Sequence, residues 1–166
     1  MRVFNTPLPE GYKNLWDVPG LLLQKFPAPE FTATTKLTFT PRTDDEQAGL
    51  LVMGMDYAYL SVKKRPEGLF VSQVVCKDAD KQGAERGGAG AGLPLKSSTV
   101  YLRVKVSAGA VCNFSYSVDG KTYTPVGEPF NAKQGRWIGA KVGLFAARVG
   151  TTREYGYADF DWFRFE

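Results

Sequence analysis

Asp159 and Asp161 stand two residues apart in the segment Tyr157 to Phe165, which reads as a strand. Residues i and i+2 of a strand share a face, and a carboxylate pair is the machinery of glycoside hydrolysis, where the two groups flank the scissile bond about 5–10 Å apart. Neighbours on a single strand are poorly placed to flank a bond, and no third acid joins them, so no catalytic residue is assigned. The 166 residues contain no histidine. That removes Ser-His-Asp and Cys-His nucleophiles, His-zinc sites and histidine pH switching together. Two cysteines, Cys76 and Cys112, are too few for a disulfide framework. They read either as one disulfide in an oxidising compartment or as two buried free thiols.

Aromatic residues make up 13% of the chain, and they suit a different chemistry. Rings stack on the apolar face of a pyranose, while guanidinium, amide and hydroxyl groups match its hydroxyls. In Val100 to Val106 the even positions are aliphatic, which turns Tyr101, Arg103 and Lys105 to the opposite face. In Tyr57 to Val62, alternation puts Ala58, Leu60 and Val62 inward and Tyr57, Tyr59 and Ser61 outward. In Cys112 to Val118, it puts Cys112, Phe114, Tyr116 and Val118 inward and Asn113, Ser115 and Ser117 outward. The candidate carbohydrate-binding set is Tyr57, Tyr59, Tyr101, Arg103, Asn113 and a loop aromatic, Trp137, with Tyr155 a weaker companion. The competing explanation is cross-strand pairing, since Tyr and Thr pairs stabilise any sheet by a few tenths to about 1 kcal/mol. Phe160 and Trp162 are expected in the core.

Such faces need strands to carry them. Period-2 segments recur at Thr34–Thr40, Tyr57–Lys63, Leu69–Cys76, Thr99–Ser107, Val111–Val118, Lys121–Pro125, Ala140–Ala146 and Tyr157–Phe165. Gly49 to Met55 is a continuous apolar run, as in a strand buried on both faces. Pro66-Glu67-Gly68 and Asp119-Gly120 mark hairpin turns. Residues 1–20 show no periodicity and form an irregular lead-in; 21–166 form a single domain. The glycine-rich stretch 77–92, with Gly83, Gly87, Gly88, Gly90 and Gly92, reads as a flexible loop. No strand-to-helix pattern surrounds it, so it is no phosphate cradle. No window carries a helical stripe, and no apolar run reaches the ~20 residues of a membrane span. The fold class is therefore all-β, a sandwich or barrel. The net charge is only +4, and the Lys63-Lys64-Arg65 cluster reads as a strand end, not a nucleic-acid stripe.

Several strings also carry a family resemblance: Phe31-Thr32-Ala33-Thr34-Thr35-Lys36-Leu37, Gln47-Ala48-Gly49-Leu50, Phe114 to Gly120, Lys141-Val142-Gly143-Leu144-Phe145 and Ala158 to Phe163. In order and spacing, from about Leu8 to the end, they resemble the C-terminal concanavalin A-like domain of glycoside hydrolase family 43 β-xylosidases and arabinofuranosidases. The resemblance implies a jelly-roll β-sandwich of two antiparallel sheets that is not itself an enzyme. The implied partners are a family 43-type catalytic β-propeller and plant cell-wall xylan or its oligosaccharides, with neither nucleic acid nor membrane. The implied location is periplasmic or extracellular, although Met1 to Phe4 lacks a signal peptide's apolar run. It also puts Asp161 where related sandwiches bind a structural calcium ion; the alternative is that Asp161 bonds a backbone amide or an arginine. One departure is the lack of an aromatic-rich strand upstream of Leu8. Other functions compatible with the fold are a purely structural, protein-interaction sandwich and a stand-alone glycosidase. The second is opposed by the absence of a Glu-x-Asp-x-Glu or Glu-x-Asp-x-x-Glu string.

Overall fold

Apart from Val118, the aliphatic positions predicted to point inward do so, and they hold two sheets together. The computed structural model describes residues 1–87, 92–150 and 153–166. Gly88 and Gly90 of the glycine-rich stretch lie outside the described residues. In chain order the strands are β1 (Arg2–Phe4), β2 (Thr6–Pro7), β3 (Leu22–Lys25), β4 (Phe31–Thr40), β5 (Glu46–Met53), β6 (Tyr57–Arg65), β7 (Gly68–Cys76), β8 (Glu85–Gly87), β9 (Leu93–Leu95), β10 (Thr99–Ser107), β11 (Val111–Ser117), β12 (Thr124–Pro125), β13 (Phe130–Asn131), β14 (Lys141–Arg148) and β15 (Tyr157–Phe165). One sheet runs β1-β15-β4-β10-β11-β12, with β13 also on β11. The other runs β2-β14-β5-β6-β7-β8, with β3 on β14 and β9 on β7. The pairings are antiparallel except β14 with β2, which is parallel.

Between the sheets, Leu37, Phe39, Leu50, Leu60, Val100, Leu102, Val104, Leu144 and Phe160 are buried in one continuous cluster. Each large aliphatic side chain there contributes about 1.5–3 kcal/mol through lost contact with water. Cys112 belongs to this cluster, and burial pushes its thiol up to about 12. Cys76 lies in a different cluster, so the two cysteines are buried free thiols and not a disulfide.

That second cluster sits on the outer side of the second sheet. Leu15 and Val18 of the lead-in cover Leu51, Met53, Tyr57, Tyr59, Val74 and Phe145. The apolar run in β5 is thereby explained, because both of its faces are covered. Residues 1–20 are more ordered than their lack of periodicity suggested: they supply β1, β2 and a short 3-10 turn, Leu15–Asp17. Asn14 caps that turn, its Oδ1 accepting from Trp16 N at 2.9 Å while its Nδ2 donates to the carbonyls of Ala79 and Gly83. Strands of two or three residues are too short to show a period, which is why the sequence hid them. The expected loop 77–92 likewise contains a 3-10 turn, Ala79–Lys81, and strand β8.

Buried Glu46 fastens the lead-in to the body of the sandwich. It accepts from Asn5 Nδ2, from the amide and hydroxyl of Thr43 at 3.1 and 2.8 Å, and from Gly156 N at 2.9 Å. A buried carboxylate is tolerable only when its lone pairs are filled in this way. The basic cluster ends β6 as expected of a strand end, with Lys63 and Lys64 paired to Asp45 and Asp44.

Tyr57 and Tyr59 require a correction. Their outward face is covered, and they are 0% and 2% exposed. Tyr57 donates its hydroxyl to Glu85 Oε1 at 2.6 Å and accepts from Leu15 N at 2.8 Å. Tyr12 and Tyr59 reach the same carboxylate at 2.9 and 3.4 Å. Burial, and then the Glu85 charge, push all three phenols above their ordinary range. Ser61 is buried beside them. Val118, expected inward, stands past the end of β11 in the turn and is exposed.

Candidate functional site

Among the described residues, no such cover lies over the outer side of the first sheet. On β10, Val100, Leu102, Val104 and Val106 are buried, so Tyr101, Arg103 and Lys105 face out. The register then fixes their neighbours. One row across the sheet reads Trp162–Lys36–Tyr101–Ser117. The next reads Arg164–Thr34–Arg103–Ser115. A third places Thr32 beside Lys105 and Asn113. Tyr101, Arg103 and Asn113 are thus brought to one open face.

Trp162 was expected in the core, and the register shows why it is not. The pairing of β15 with β4 shifts between Phe160 and Trp162, so Asp161 is an extra residue. A bulge of this kind changes which side the following residues occupy. Phe160 stays inward, while Trp162 turns out opposite Lys36. The signal was present in the sequence: Ala158 and Phe160 require even positions inward, Phe163 and Phe165 odd ones, and only a bulge reconciles them.

The exposed side chains brace one another. The Tyr101 and Trp162 rings lie 6.1 Å apart, tilted by 47°. Arg103 lies 3.4 Å from the centre of the Tyr123 ring and donates from Nε to Thr34 Oγ1 at 3.1 Å. Arg164 lies 4.4 Å over Trp162. The Asp119-Gly120 turn closes the end of the face. Asp119 accepts from the amides of Lys121 and Thr122 at 2.8 and 2.9 Å, and these bonds hold its carboxyl down at about 2. Gly120 has φ +74°, and a Cβ there would meet the Tyr101 ring at 2.9 Å, so both its conformation and its closeness require glycine. Tyr123, Trp162, Arg164 and Lys36 were missed from the sequence. Tyr123 lies in Lys121–Pro125, expected as a strand but paired only at Thr124–Pro125, and the other three depend on register.

Asp159 and Asp161 do share the outer side, but each holds a cation. Asp159 takes two hydrogen bonds of 2.8 Å from Arg2, which hold its carboxyl below the usual range. Asp161, 44% exposed, lies 2.7 Å from Lys36 Nζ. A calcium ion beside that ammonium would be repelled, and among the described residues no three His, Cys, Asp or Glu side chains converge. Asp161 therefore does not fit a calcium ligand set as arranged.

Trp137 is elsewhere. It sits on the loop before β14, 94% exposed, over a cavity of about 230 Å³ that it lines with Trp16, Met53, Arg136, Ile138 and Lys141. Met53 and the lead-in belong to the outer side of the second sheet, so Trp137 and Tyr101 stand on opposite sides of the sandwich. Tyr155 packs edge-on against Phe4, with centroids 6.1 Å apart.

With this geometry in view, comparisons with known proteins are specific. Residues 9–166 match the family model of the β-xylosidase C-terminal concanavalin A-like domain. A xylan 1,3-β-xylosidase of a Vibrio species is 29% identical over 157 residues, covering 88% of this chain and 28% of its own length. A β-xylosidase of Formosa agariphila is 36% identical over 75 residues, covering 45% of this chain and 12% of its own. The crystal structure of a xylan β-1,4-xylosidase from Bacillus halodurans superposes with a TM-score of 0.79 at 23% identity, over 99% of this chain and 32% of the other. This chain thus spans less than a third of the length of each of these relatives.

Proposed function

From the premise that the chain belongs to the family of β-xylosidase C-terminal concanavalin A-like domains, we propose that it is a non-catalytic accessory domain of a xylan-degrading glycoside hydrolase and binds polysaccharide on the open face of its first sheet. The observation that carries this reading is the tilted Tyr101–Trp162 pair, flanked by Arg103 on Tyr123. Two rings held at a fixed tilt suit successive sugars of a twisted chain, and the guanidinium N–H groups beside them suit sugar hydroxyls. The non-catalytic reading is supported by the acid pair singled out in the sequence: Asp159 and Asp161 are both engaged by cations and sit side by side on one strand. A periplasmic or extracellular setting, where such polymers are met, belongs to the same proposal. Affinity electrophoresis in gels containing xylan tests it. Retardation of the native chain, abolished in Trp162→Ala with unchanged circular dichroism, is the expected result. Equal mobility with and without xylan overturns it.

A second reading is favoured by Trp137. A tryptophan 94% exposed beside Ile138 and a partly apolar cavity is the kind of surface that packs against another domain. The partner proposed is a catalytic β-propeller of the family 43 type. In a protein carrying both domains, Trp137→Ala then separates their thermal transitions; a single unshifted transition counts against it.

A further inference from the structure

The row beside the aromatic pair carries more positive charge than neutral sugar binding calls for. Thr34 lies on β4, between Arg103 on β10 and Arg164 on β15. Strands are spaced about 4.8 Å apart, so the two arginines are rooted about 10 Å from each other across a small, buried threonine. Neither is ion-paired to a carboxylate among the described residues, whereas on the same face Arg2 is held by Asp159 and Lys36 by Asp161. Arg103 is fixed by its ring contact with Tyr123 and by its Nε bond to Thr34, which hold its guanidinium on the open face. Arg164 is held over Trp162. Lys105, exposed in the next row, adds a third positive group without an acid partner among the described residues. An arginine braced on an aromatic ring has already lost most of its side-chain freedom, and its planar fork matches a carboxylate in two parallel hydrogen bonds. Rows on one face of a strand repeat every two residues, about 6.7 Å. A sugar stacked on Tyr101 and Trp162 therefore brings a side group of its neighbour over Arg103.

We propose that the open face selects a glycan bearing carboxylates, a uronic-acid-substituted xylan, with Arg103 as the carboxylate anchor and Arg164 as its flank. This rests on the polysaccharide-binding reading above, and the experiment separates the two. Three probes are compared by isothermal titration calorimetry with the whole chain: xylotetraose carrying one methylglucuronic acid, the same compound with its carboxyl reduced to an alcohol, and unsubstituted xylotetraose. The expected result is binding of the acidic probe at least ~10-fold tighter than the other two. That advantage weakens as salt rises from about 50 to about 500 mM. On Arg103→Gln the acidic probe binds no tighter than the two neutral probes measured on the same variant, while Arg103→Lys restores only part of the difference. Position 103 lies on the outer side of the sheet and outside the core, so circular dichroism should be unaltered in both variants. Equal binding of all three probes overturns the carboxylate proposal and leaves polysaccharide binding standing. Binding of none overturns both. Equally tight, salt-sensitive binding to a single-stranded oligonucleotide also overturns it, since the face would then read charge and not sugar.

Discussion

The outer sides of the two sheets begin from the same pattern and end differently. On β6, Tyr57 and Tyr59 alternate with Ala58 and Leu60; on β10, Tyr101 and Arg103 alternate with Leu102 and Val104. The first pair is sealed beneath Leu15, Val18 and Tyr12, with its phenols gathered on Glu85. The second pair stays open, Tyr101 tilted against the Trp162 ring and Arg103 laid over the Tyr123 ring. The difference teaches that a tyrosine's role in a sheet is set by what lies over it. Under a cover it becomes core with a polar tip that must find a partner; without one it is free to meet a ligand.

Substitutions should separate the two sides, stability falling on the covered side and ligand contact on the open one. The largest effect is expected for Leu15→Ala. It removes a wholly buried side chain from the cover and should cost about 2–5 kcal/mol in urea unfolding. A loss under about 1 kcal/mol would mean that the lead-in is not integral to the fold.

Next is Glu85→Leu, which leaves the phenols of Tyr12, Tyr57 and Tyr59 without their shared acceptor. The expected cost is about 1–3 kcal/mol by the same measurement. On the open side, Tyr101→Ala should change stability by less than about 1 kcal/mol while weakening retardation in xylan gels. Equal destabilisation by Tyr101→Ala and Glu85→Leu would erase the distinction.

Alkaline titration sharpens it. The covered phenols have folded pKa values raised above the ordinary 10.0. They keep their protons in the folded chain when the unfolded chain has lost them, so their contribution to stability is complete below pH 10 and declines as pH rises past it. Ultraviolet difference absorbance should show these tyrosines ionising only together with unfolding. Ionisation of all tyrosines in one step without loss of structure would contradict the cover.

The smallest expected effect is acidic and local to the open face. Asp119 has its folded pKa lowered from 3.8 to about 2, so its stabilisation of the turn is present above the unfolded value and lost as pH falls from near 4 toward 2. Asp119→Asn should flatten that limb of the acid-unfolding curve. An unchanged limb would show that the carboxylate's charge does not hold the turn.

By itself the sequence determined the all-β class, the long strands and the inward side of β6, β10 and most of β11. These follow from alternation between apolar and polar residues, a local property enforced by the pleat of every strand. It likewise determined that Tyr101, Arg103 and Asn113 share a face, because β10 keeps its period throughout and β11 keeps it around Asn113. Part of what was missed was still legible: the conflict of parity between Phe160 and Phe163 announced the bulge that exposes Trp162, and the unbroken apolar run of β5 announced that the sheet containing Tyr57 was covered on both sides. Other facts lay outside any local pattern. That Leu15 covers Tyr59, that Glu85 gathers three phenols and that Arg164 and Arg103 flank Thr34 depend on register and on contacts between residues far apart in the chain. Only the tertiary structure decides these, because a side chain's burial is a property of everything packed around it and not of its own strand.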